Sequence, residues 1–475
     1  MIAMSCRSGP MRHAPDQVLT AAQMRDAEQA LIAGGTSVDE LMQRAGRGAA
    51  EWVWRLSGGL SVTILCGPGN NGGDGYVIAE AIRQRGGVVQ VVAASEPKTA
   101  AARTASGLFQ GAVLERDAAV QGEVLVDCLF GTGLTRPLNI DDLALLNRLS
   151  ASHPRRVAID LPSGVHADNG LMLNAGLPNW HLTLALGAWK PAHFLLPAAP
   201  TMGELRLVPI GVEPVAEAGL RIARPILSAP AADDHKYKRG LLGVIAGAMP
   251  GAALLAARAA QGAGAGYVKL LGAAEGGPPD LVVDRQPLAE ALADSRYAAL
   301  LVGPGLGRHA AARKALALAL AEPIPAVVDA DALILLSPHN LAEREAPVIA
   351  TPHDGELFAL ERAFGLDGSG SKVERAAALA RMTGMVVVAK GADTLVAAPD
   401  GQVAFAPRAS TWLSTAGTGD VLAGTIASRL AYGAEPFAAA CEGVWLHCAA
   451  SRCTLVPFSA GQLAEQIARA YAACL

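Results

Sequence analysis

Asp420 closes the pentapeptide Ala416-Gly417-Thr418-Gly419-Asp420, which leads directly into an apolar helical stretch, Val421-Tyr432. Successive backbone N–H groups in such a turn, backed by the positive end of a helix dipole, form a cradle for phosphate. A carboxylate is favoured in the first helical turn, so Asp420 is placed to take a proton from a substrate hydroxyl. An ordinary N-cap aspartate is the plain alternative, but four further turns accompany this one. They are Gly303-Pro304-Gly305-Leu306-Gly307, Asp329-Ala330-Asp331-Ala332-Leu333, Thr351-Pro352-His353-Asp354-Gly355-Glu356 and Lys390-Gly391-Ala392-Asp393-Thr394. Each follows a short apolar strand, and together they ring one crevice.

The first half of the chain holds a second cluster. Gly67-Pro68-Gly69-Asn70-Asn71-Gly72-Gly73-Asp74-Gly75 follows a strand and opens a helix. Its glycines allow a tight turn and close approach to a ligand, and the helix start favours an anion. A glycine pattern of this kind alone is weak evidence and equally suits a structural turn. Two more strands end in Asp127 with Gly131-Thr132-Gly133-Leu134-Thr135-Arg136-Pro137, and in Asp160-Leu161-Pro162-Ser163-Gly164. Ligands of open parallel sheets bind outside the carboxyl ends of the strands, so the three turns point to one site. Asn71, Asp127 and Ser163 supply hard oxygens that suit a hard cation better than zinc, although each also suits a cap or a turn.

Alternating strands and helices must position these turns. The predicted strands of the first half are 62–66, 88–93, 124–130, 157–161, 182–186 and 205–208. Those of the second half are 241–246, 267–271, 299–302, 326–328, 348–350, 386–389 and 394–397. Nearly all are wholly apolar, as strands covered on both faces should be, and Ala-rich helical segments separate them. The fold class is α/β, with parallel sheets between helix layers. Two helices, 421–432 and 437–453, and a third near 460–473 close the chain. The pattern weakens around Pro214, Pro225 and Pro230, which divides the chain into a domain of residues 1–212, a linker at 213–225 and a domain of 226–475. The length of 475 residues suits two or three domains.

Lys and Arg number 39 against 43 Asp and Glu, a net charge of −4. That balance excludes a basic nucleic-acid surface, so an anionic ligand must be held locally. The seven cysteines (Cys6, Cys66, Cys128, Cys441, Cys448, Cys453 and Cys474) are odd in number and without disulfide rhythm, which predicts a reducing cytoplasm. Cys441, His447, Cys448 and Cys453 lack a CxxC pair and read as a buried helix rather than a metal site. Residues 1–15, with Arg7, Arg12 and His13, lack the apolar core of a signal peptide. The uncharged run 240–257 is long enough to cross a membrane, but Gly243, Gly247, Pro250 and Gly251 interrupt it, and a strand, a turn and a helix are expected instead.

The first half resembles a known family. Leu19-Thr20-Ala21-Ala22-Gln23-Met24-Arg25, Leu41-Met42-Gln43-Arg44-Ala45-Gly46, the asparagine-glycine loop, the GTGLTRP and DLPSG turns and Gly187-Ala188-Trp189-Lys190-Pro191 occur in the order of the NAD(P)H-hydrate epimerase (YjeF N-terminal) domain. The resemblance covers residues 18–212 and implies a Rossmann-like αβα domain. It implies exchange of the R and S forms of hydrated NADH and NADPH at C6 of the nicotinamide ring. It assigns the substrate to Asn70, Asn71, Gly72, Gly73, Asp74, to Gly131, Thr132, Gly133, Leu134, Thr135, Arg136, Pro137, and to Asp160. It assigns a potassium ion to Asn71, Asp127 and Ser163. Asp160 is the candidate for proton transfer. His166 departs from the family, which has aspartate there.

The second half, residues 226–475, resembles the ADP-dependent NAD(P)H-hydrate dehydratases of the ribokinase-like superfamily. His235-Lys236-Tyr237-Lys238-Arg239-Gly240 and Met249-Pro250-Gly251-Ala252-Ala253 join the turns above in carrying that resemblance. It implies that Ala252, Gly305, His353 and Asp420 contact the hydrated cofactor. It implies that Lys390, Gly391, Ala392, Asp393, Thr394 and Gly419 contact ADP, with Mg2+ on the nucleotide phosphates. Phosphorylation of the C6 hydroxyl then turns a poor leaving group into a good one. The expected whole is a bifunctional cytoplasmic repair enzyme, a homo-oligomer without nucleic-acid or membrane partners. A ribokinase-like vitamin-precursor kinase, or a non-catalytic nucleotide-binding module, are the competing readings. Two departures from the family stand out: Ser410-Thr415 replaces an Asn-Pro-rich approach to the phosphate turn, and Asp354 replaces proline after His353.

Overall fold

A computed structural model of the chain describes residues 16–274 and 277–475. The N-terminal stretch holding Cys6, Arg7, Arg12 and His13 lies outside the described residues. The chain divides into two compact units, with the boundary after Leu220.

The first unit contains, in chain order, β1 (Gln17–Val18), α1 (Ala21–Ala33), α2 (Val38–Ser57), β2 (Val62–Cys66), α3 (Asn70–Gln84), β3 (Val89–Ala93), α4 (Ala100–Leu108) and β4 (Ala112–Leu114). It continues with β5 (Val124–Cys128), α5 (Ile140–Ala151), β6 (Arg155–Ile159), β7 (Leu182–Leu186), β8 (Glu204–Val208) and β9 (Gly219–Arg221). Seven strands form a parallel sheet in the order β4-β3-β2-β5-β6-β7-β8. Alternation along each strand builds two cores. Ile64, Val126 and Val157 face α2 and α3, whereas Leu65, Leu125 and Ala158 face α5 through Leu145, Leu146 and Leu149. This is the three-layer αβα arrangement expected. Sheet order reverses direction at β2 and β5, so the turns after these two strands open onto the switch point where such sheets bind ligands.

The second unit contains β10 (Leu241–Ile245), α6 (Pro250–Gly262), β11 (Tyr267–Leu271), β12 (Val282–Asp284), α7 (Leu288–Leu292), β13 (Tyr297–Val302), α8 (Ala310–Ala321), β14 (Ala326–Val328), α9 (Asp331–Leu335) and α10 (Pro338–Leu341). Then follow β15 (Val348–Ala350), α11 (Asp354–Ala363), α12 (Lys372–Thr383), β16 (Val386–Ala389), β17 (Leu395–Ala397), β18 (Val403–Phe405), α13 (Thr418–Ala431), α14 (Pro436–Cys453) and α15 (Ala460–Ala472). The strands order β18-β17-β16-β15-β14-β13-β10-β11-β12, parallel except for the two antiparallel pairs at β16-β17-β18. Here the switch lies between β10 and β13. Helix α13 packs on α6 so closely that a Cβ on Gly424 would stand 2.0 Å from the Ala256 carbonyl oxygen.

The uncharged run 240–257 is the strand, turn and helix predicted, and among the described residues no helix is long and apolar enough to cross a membrane. Two expectations differ. The segment 213–225 is not a bare linker, because β9 within it pairs with β1 (Gln17↔Leu220). And α3 begins at Asn70 with Gly69 as N-cap, so Asn70–Asp74 form the first helical turn rather than a loop.

Two candidate active sites

In the first unit the chain bends at Asp160, whose φ of 66° is rare for a side-chain-bearing residue. Four donors fix its carboxylate. Lys190 Nζ donates to Oδ1 at 2.5 Å and Leu186 N at 3.3 Å, while Thr132 N donates to Oδ2 at 3.0 Å and the Thr132 hydroxyl to the same oxygen. Lys190 is 1% exposed and also donates to the Leu186 carbonyl at 2.7 Å. His193 Nε2 meets the Asp160 carbonyl at 2.9 Å. Burial pushes the Asp160 carboxyl up, but the Lys190 ammonium, its hydrogen bond and Thr132 outweigh it and hold the group below the usual range. Asp74 behaves oppositely: burial first, then the charges of Asp160 and Glu28, push it well up. Two buried carboxyl groups are thus driven apart in proton affinity, a pattern that separates an acid from a base. The sequence reading missed Lys190, Glu28 and His193 as members of this cluster.

Asn71, Gly131, Thr132 and Asp160 come together: a Cβ on Gly131 would lie 3.1 Å from Asp160 Oδ2 and 3.3 Å from Asn71 Cγ. Gly72 and Gly73 also serve packing. A Cβ on Gly72 would stand 1.9 Å from the Gly67 carbonyl oxygen and one on Gly73 2.5 Å from the Met42 side chain, so these glycines let α3 pack close. Thr135, Arg136 and Pro137 are exposed, and Leu134 is buried.

Asp127 and Ser163 are buried beside this cluster. Ser163 N donates to Asp127 Oδ2 at 2.9 Å, and the Ser163 hydroxyl and Leu129 N donate to Oδ1 at 2.7 and 3.0 Å. Burial pushes the Asp127 carboxyl up to about 6 despite these bonds. Both polar atoms of the Asn71 amide are buried without a partner; a buried unsatisfied group costs about 1–3 kcal/mol, and a bound cation would relieve the oxygen. Hard oxygens and an orphaned amide fit a potassium ion.

In the second unit Gly417 takes a φ of 90°, open to glycine without strain, and caps α13, so Thr418, Gly419 and Asp420 form the first helical turn. Thr418 Oγ1 donates to the Leu413 and Thr415 carbonyls at 2.8 and 2.9 Å, tying the atypical 410–415 segment to the turn. His447 Nε2 meets the Thr418 carbonyl at 3.0 Å. His447 therefore buttresses the phosphate turn, and the cysteines around it on α14 are free thiols. Burial pushes Asp420 up to about 7, helped by the charges of Asp329 and Glu356 against the pull of Lys390. Desolvation and the two like charges thus oppose the helix dipole, which favours the carboxylate.

Lys390 Nζ donates to Asp329 Oδ1 at 2.6 Å and lies 3.7 Å from Glu356 Oε2. Glu356 Oε2 accepts the His353 N–H at 2.8 Å, and His353 caps α11. Asp354, which replaces the family's proline, accepts from Arg375 Nη1 at 2.9 Å. Within the turn 390–394, Thr394 Oγ1 closes back on the Gly391 carbonyl at 2.7 Å, and the Lys372 ammonium holds Asp393 at 2.5 Å. These two side chains brace the turn, and Lys372 also donates to the Lys390 and Asp393 carbonyls at 3.3 Å. Ala252 and Gly305 pack on each other: a Cβ on Gly305 would lie 3.1 Å from Ala252 Cβ. The sequence places Asp329 and Glu356 in strand-terminal turns without marking them as site residues, and no motif singles out Lys372.

Both units match known families. Residues 38–192 match the family model of the YjeF-related protein N-terminus, and residues 242–472 that of NAD(P)H-hydrate dehydratase. A bifunctional NAD(P)H-hydrate repair enzyme of Mycobacterium leprae is 32% identical, over 98% of this chain and 100% of its own. That of Gloeobacter violaceus is 35% identical, over 90% of this chain and 92% of its own. Among solved structures, the ADP/ATP-dependent NAD(P)H-hydrate dehydratase of Bacillus subtilis, co-crystallised with ATP and Mg2+, is 28% identical over 53% of this chain and 95% of its own, with a TM-score of 0.46. The chain belongs to the family of bifunctional NAD(P)H-hydrate repair enzymes.

Proposed function

We propose that the first unit interconverts R and S hydrated NADH and NADPH and that the second dehydrates the S form at the expense of ADP. The observation that carries the reading is the phosphate turn 416–420, with a carboxyl poised near neutrality at the head of α13 and an ammonium anchored beside it.

In the dehydratase site Asp420 takes the proton of the C6 hydroxyl as that oxygen attacks the terminal phosphorus of ADP, and AMP leaves. The N–H groups of the turn hold the transferring phosphoryl oxygens. The lone pair of N1 then expels phosphate from C6, and loss of a proton from C5 restores the dihydropyridine. The products are NAD(P)H, AMP and phosphate. Asp329 and Glu356 are engaged by Lys390, and the described residues hold no group of three or more His, Cys, Asp or Glu placed to share a metal ion. A magnesium ion carried by the nucleotide phosphates suits that arrangement. Ala252, Gly305 and His353 would meet the hydrated cofactor, and 390–394 with Gly419 the nucleotide.

In the epimerase site inversion at C6 requires one of its bonds to break and re-form on the other face. Asp74 protonates the departing hydroxyl, which leaves as water under the push of N1. Water returns to the opposite face and gives its proton to Asp160, which Lys190 and Thr132 hold in place. Asn70–Asp74 and 131–137 would hold the substrate. Asn71, Asp127 and Ser163 would hold potassium, which supplies fixed positive charge next to the helix start. The enzyme so read is a cytoplasmic homo-oligomer, checked by its mass in solution. Assaying products with ADP or ATP separates this reading from a kinase: restored dihydronicotinamide and free phosphate support it, and a stable phosphorylated substrate overturns it.

A further inference from the structure

Asp329 has no part in the chemistry above, yet it ties three adjacent strand ends together. It follows β14 and is 1% exposed. Its Oδ1 accepts from Thr351 Oγ1, after β15, and from Lys390 Nζ, after β16, both at 2.6 Å. The next residue, Ala330, has a φ of 47°. An alanine held there is strained and persists where the surroundings enforce it. Glu356 approaches the same ammonium from α11 at 3.7 Å. The ammonium lies against the phosphate turn, 3.6 Å from where a Cβ on Gly419 would stand.

We propose that Asp329 and Glu356 are positioning residues for dehydration: they hold the Lys390 ammonium at the phosphate turn and keep it from closing onto Asp420. The inference rests on Asp420 being the proton acceptor. A carboxylate in a direct ion pair loses basicity. Because Asp329 takes the direct bond, Lys390 acts on Asp420 only through space, and the two anchoring carboxylates repel it. Burial and that repulsion leave Asp420 at about 7, where a general base works best at neutral pH. The other elements packed on α13 carry charges that are spent elsewhere. Arg258 of α6 pairs with Glu465 of α15 at 2.7 Å, and Glu442 of α14 with Arg429 at 2.7 Å. His447 of α14 is pushed down to about 4, first by burial, and is neutral.

The test is the pH profile of kcat for dehydration in the full chain, with epimerisation by the same preparation as the control for folding. Wild type should lose rate on the acid side of about pH 7. Asp329→Asn and Glu356→Gln should each move that acid limb down by about one pH unit or more. Each should also lower the plateau several-fold, and Asp329→Glu should restore part of the shift. Glu356→Gln keeps an oxygen for the His353 N–H, so it carries the test alone if Asp329→Asn does not fold. An acid limb that stays at the wild-type pH in the folded variants overturns the inference. Asp420→Asn is run alongside. If it still dehydrates at the wild-type rate, the assignment of the base has failed. If it is inactive while the limb stays put, only the positioning role has failed.

Discussion

Replacing Lys190 by methionine should destabilise the first unit heavily, and the structure sets the size of the effect. The ammonium is 1% exposed and bonded to Asp160 at 2.5 Å. Methionine fills similar volume but leaves a buried carboxylate without its cation. Breaking a buried pair from one side costs about 3–5 kcal/mol. For a unit of this size each kcal/mol moves the midpoint by roughly 2–4 °C, so a fall of about 6–20 °C is expected. The pH dependence has a definite sign. In wild type the folded pKa of Asp160 is depressed, so its contribution is present above the unfolded value and is lost as pH falls through the folded one. Without Lys190, burial raises the folded pKa instead. The penalty of Lys190→Met should therefore be largest at neutral pH and shrink as acid protonates Asp160. The Lys190→Met, Asp160→Asn double variant should recover much of the loss. Calorimetry of the full chain and of the three variants reads this as a coupling energy. Additive single effects, or a penalty that grows in acid, would refute the reasoning.

Asp420→Asn should cut dehydration by about 10²–10⁴-fold, the range of a lost general base, and leave epimerisation unchanged; two separate assays on one preparation check it. The same variant should raise the melting temperature above pH 7, because wild type there holds an ionised carboxylate whose folded pKa is raised. Gly72→Ala should abolish epimerisation, since its Cβ would collide with the Gly67 carbonyl at 1.9 Å and displace the start of α3; dehydration by the same protein is the control. Asn71→Ala should weaken activation of epimerisation by potassium and raise the KCl needed for half-maximal rate, read as rate against KCl at constant ionic strength. Lys372→Met should raise the KM for ADP with little change in kcat, because Lys372 braces the 390–394 turn through Asp393 and not the reacting groups.

Much of this architecture was legible because buried parallel strands are written as apolar runs. The strands at 62–66, 182–186, 267–271, 326–328, 348–350 and 386–389 fall where those runs do. Strands β4 and β12 were missed because three-residue, largely exposed edge strands carry no periodic signal. β18 could have been found, since Asp400-Gly401 between the apolar runs 395–398 and 403–405 is a hairpin signal. The turns bearing Asp160, Asp420 and Lys390 were legible from glycine and position after a strand. Lys190, Asp329 and Glu356 were not, because their roles come from partners 30, 61 and 34 residues away across strand ends. The balance between burial and neighbouring charge that holds Asp160 down and lifts Asp420 is a property of the packed site, which no local motif encodes.

The central claim is that one chain repairs both epimers. The direct measurement supplies a mixture of R and S hydrated NADH with ADP, Mg2+ and K+ and follows recovery of dihydronicotinamide absorbance. The account predicts full recovery by the wild type. With Lys190→Met or Gly72→Ala, recovery should be fast for the S form and limited to spontaneous exchange for the R form. Absence of recovery from either epimer with ADP or ATP would contradict it.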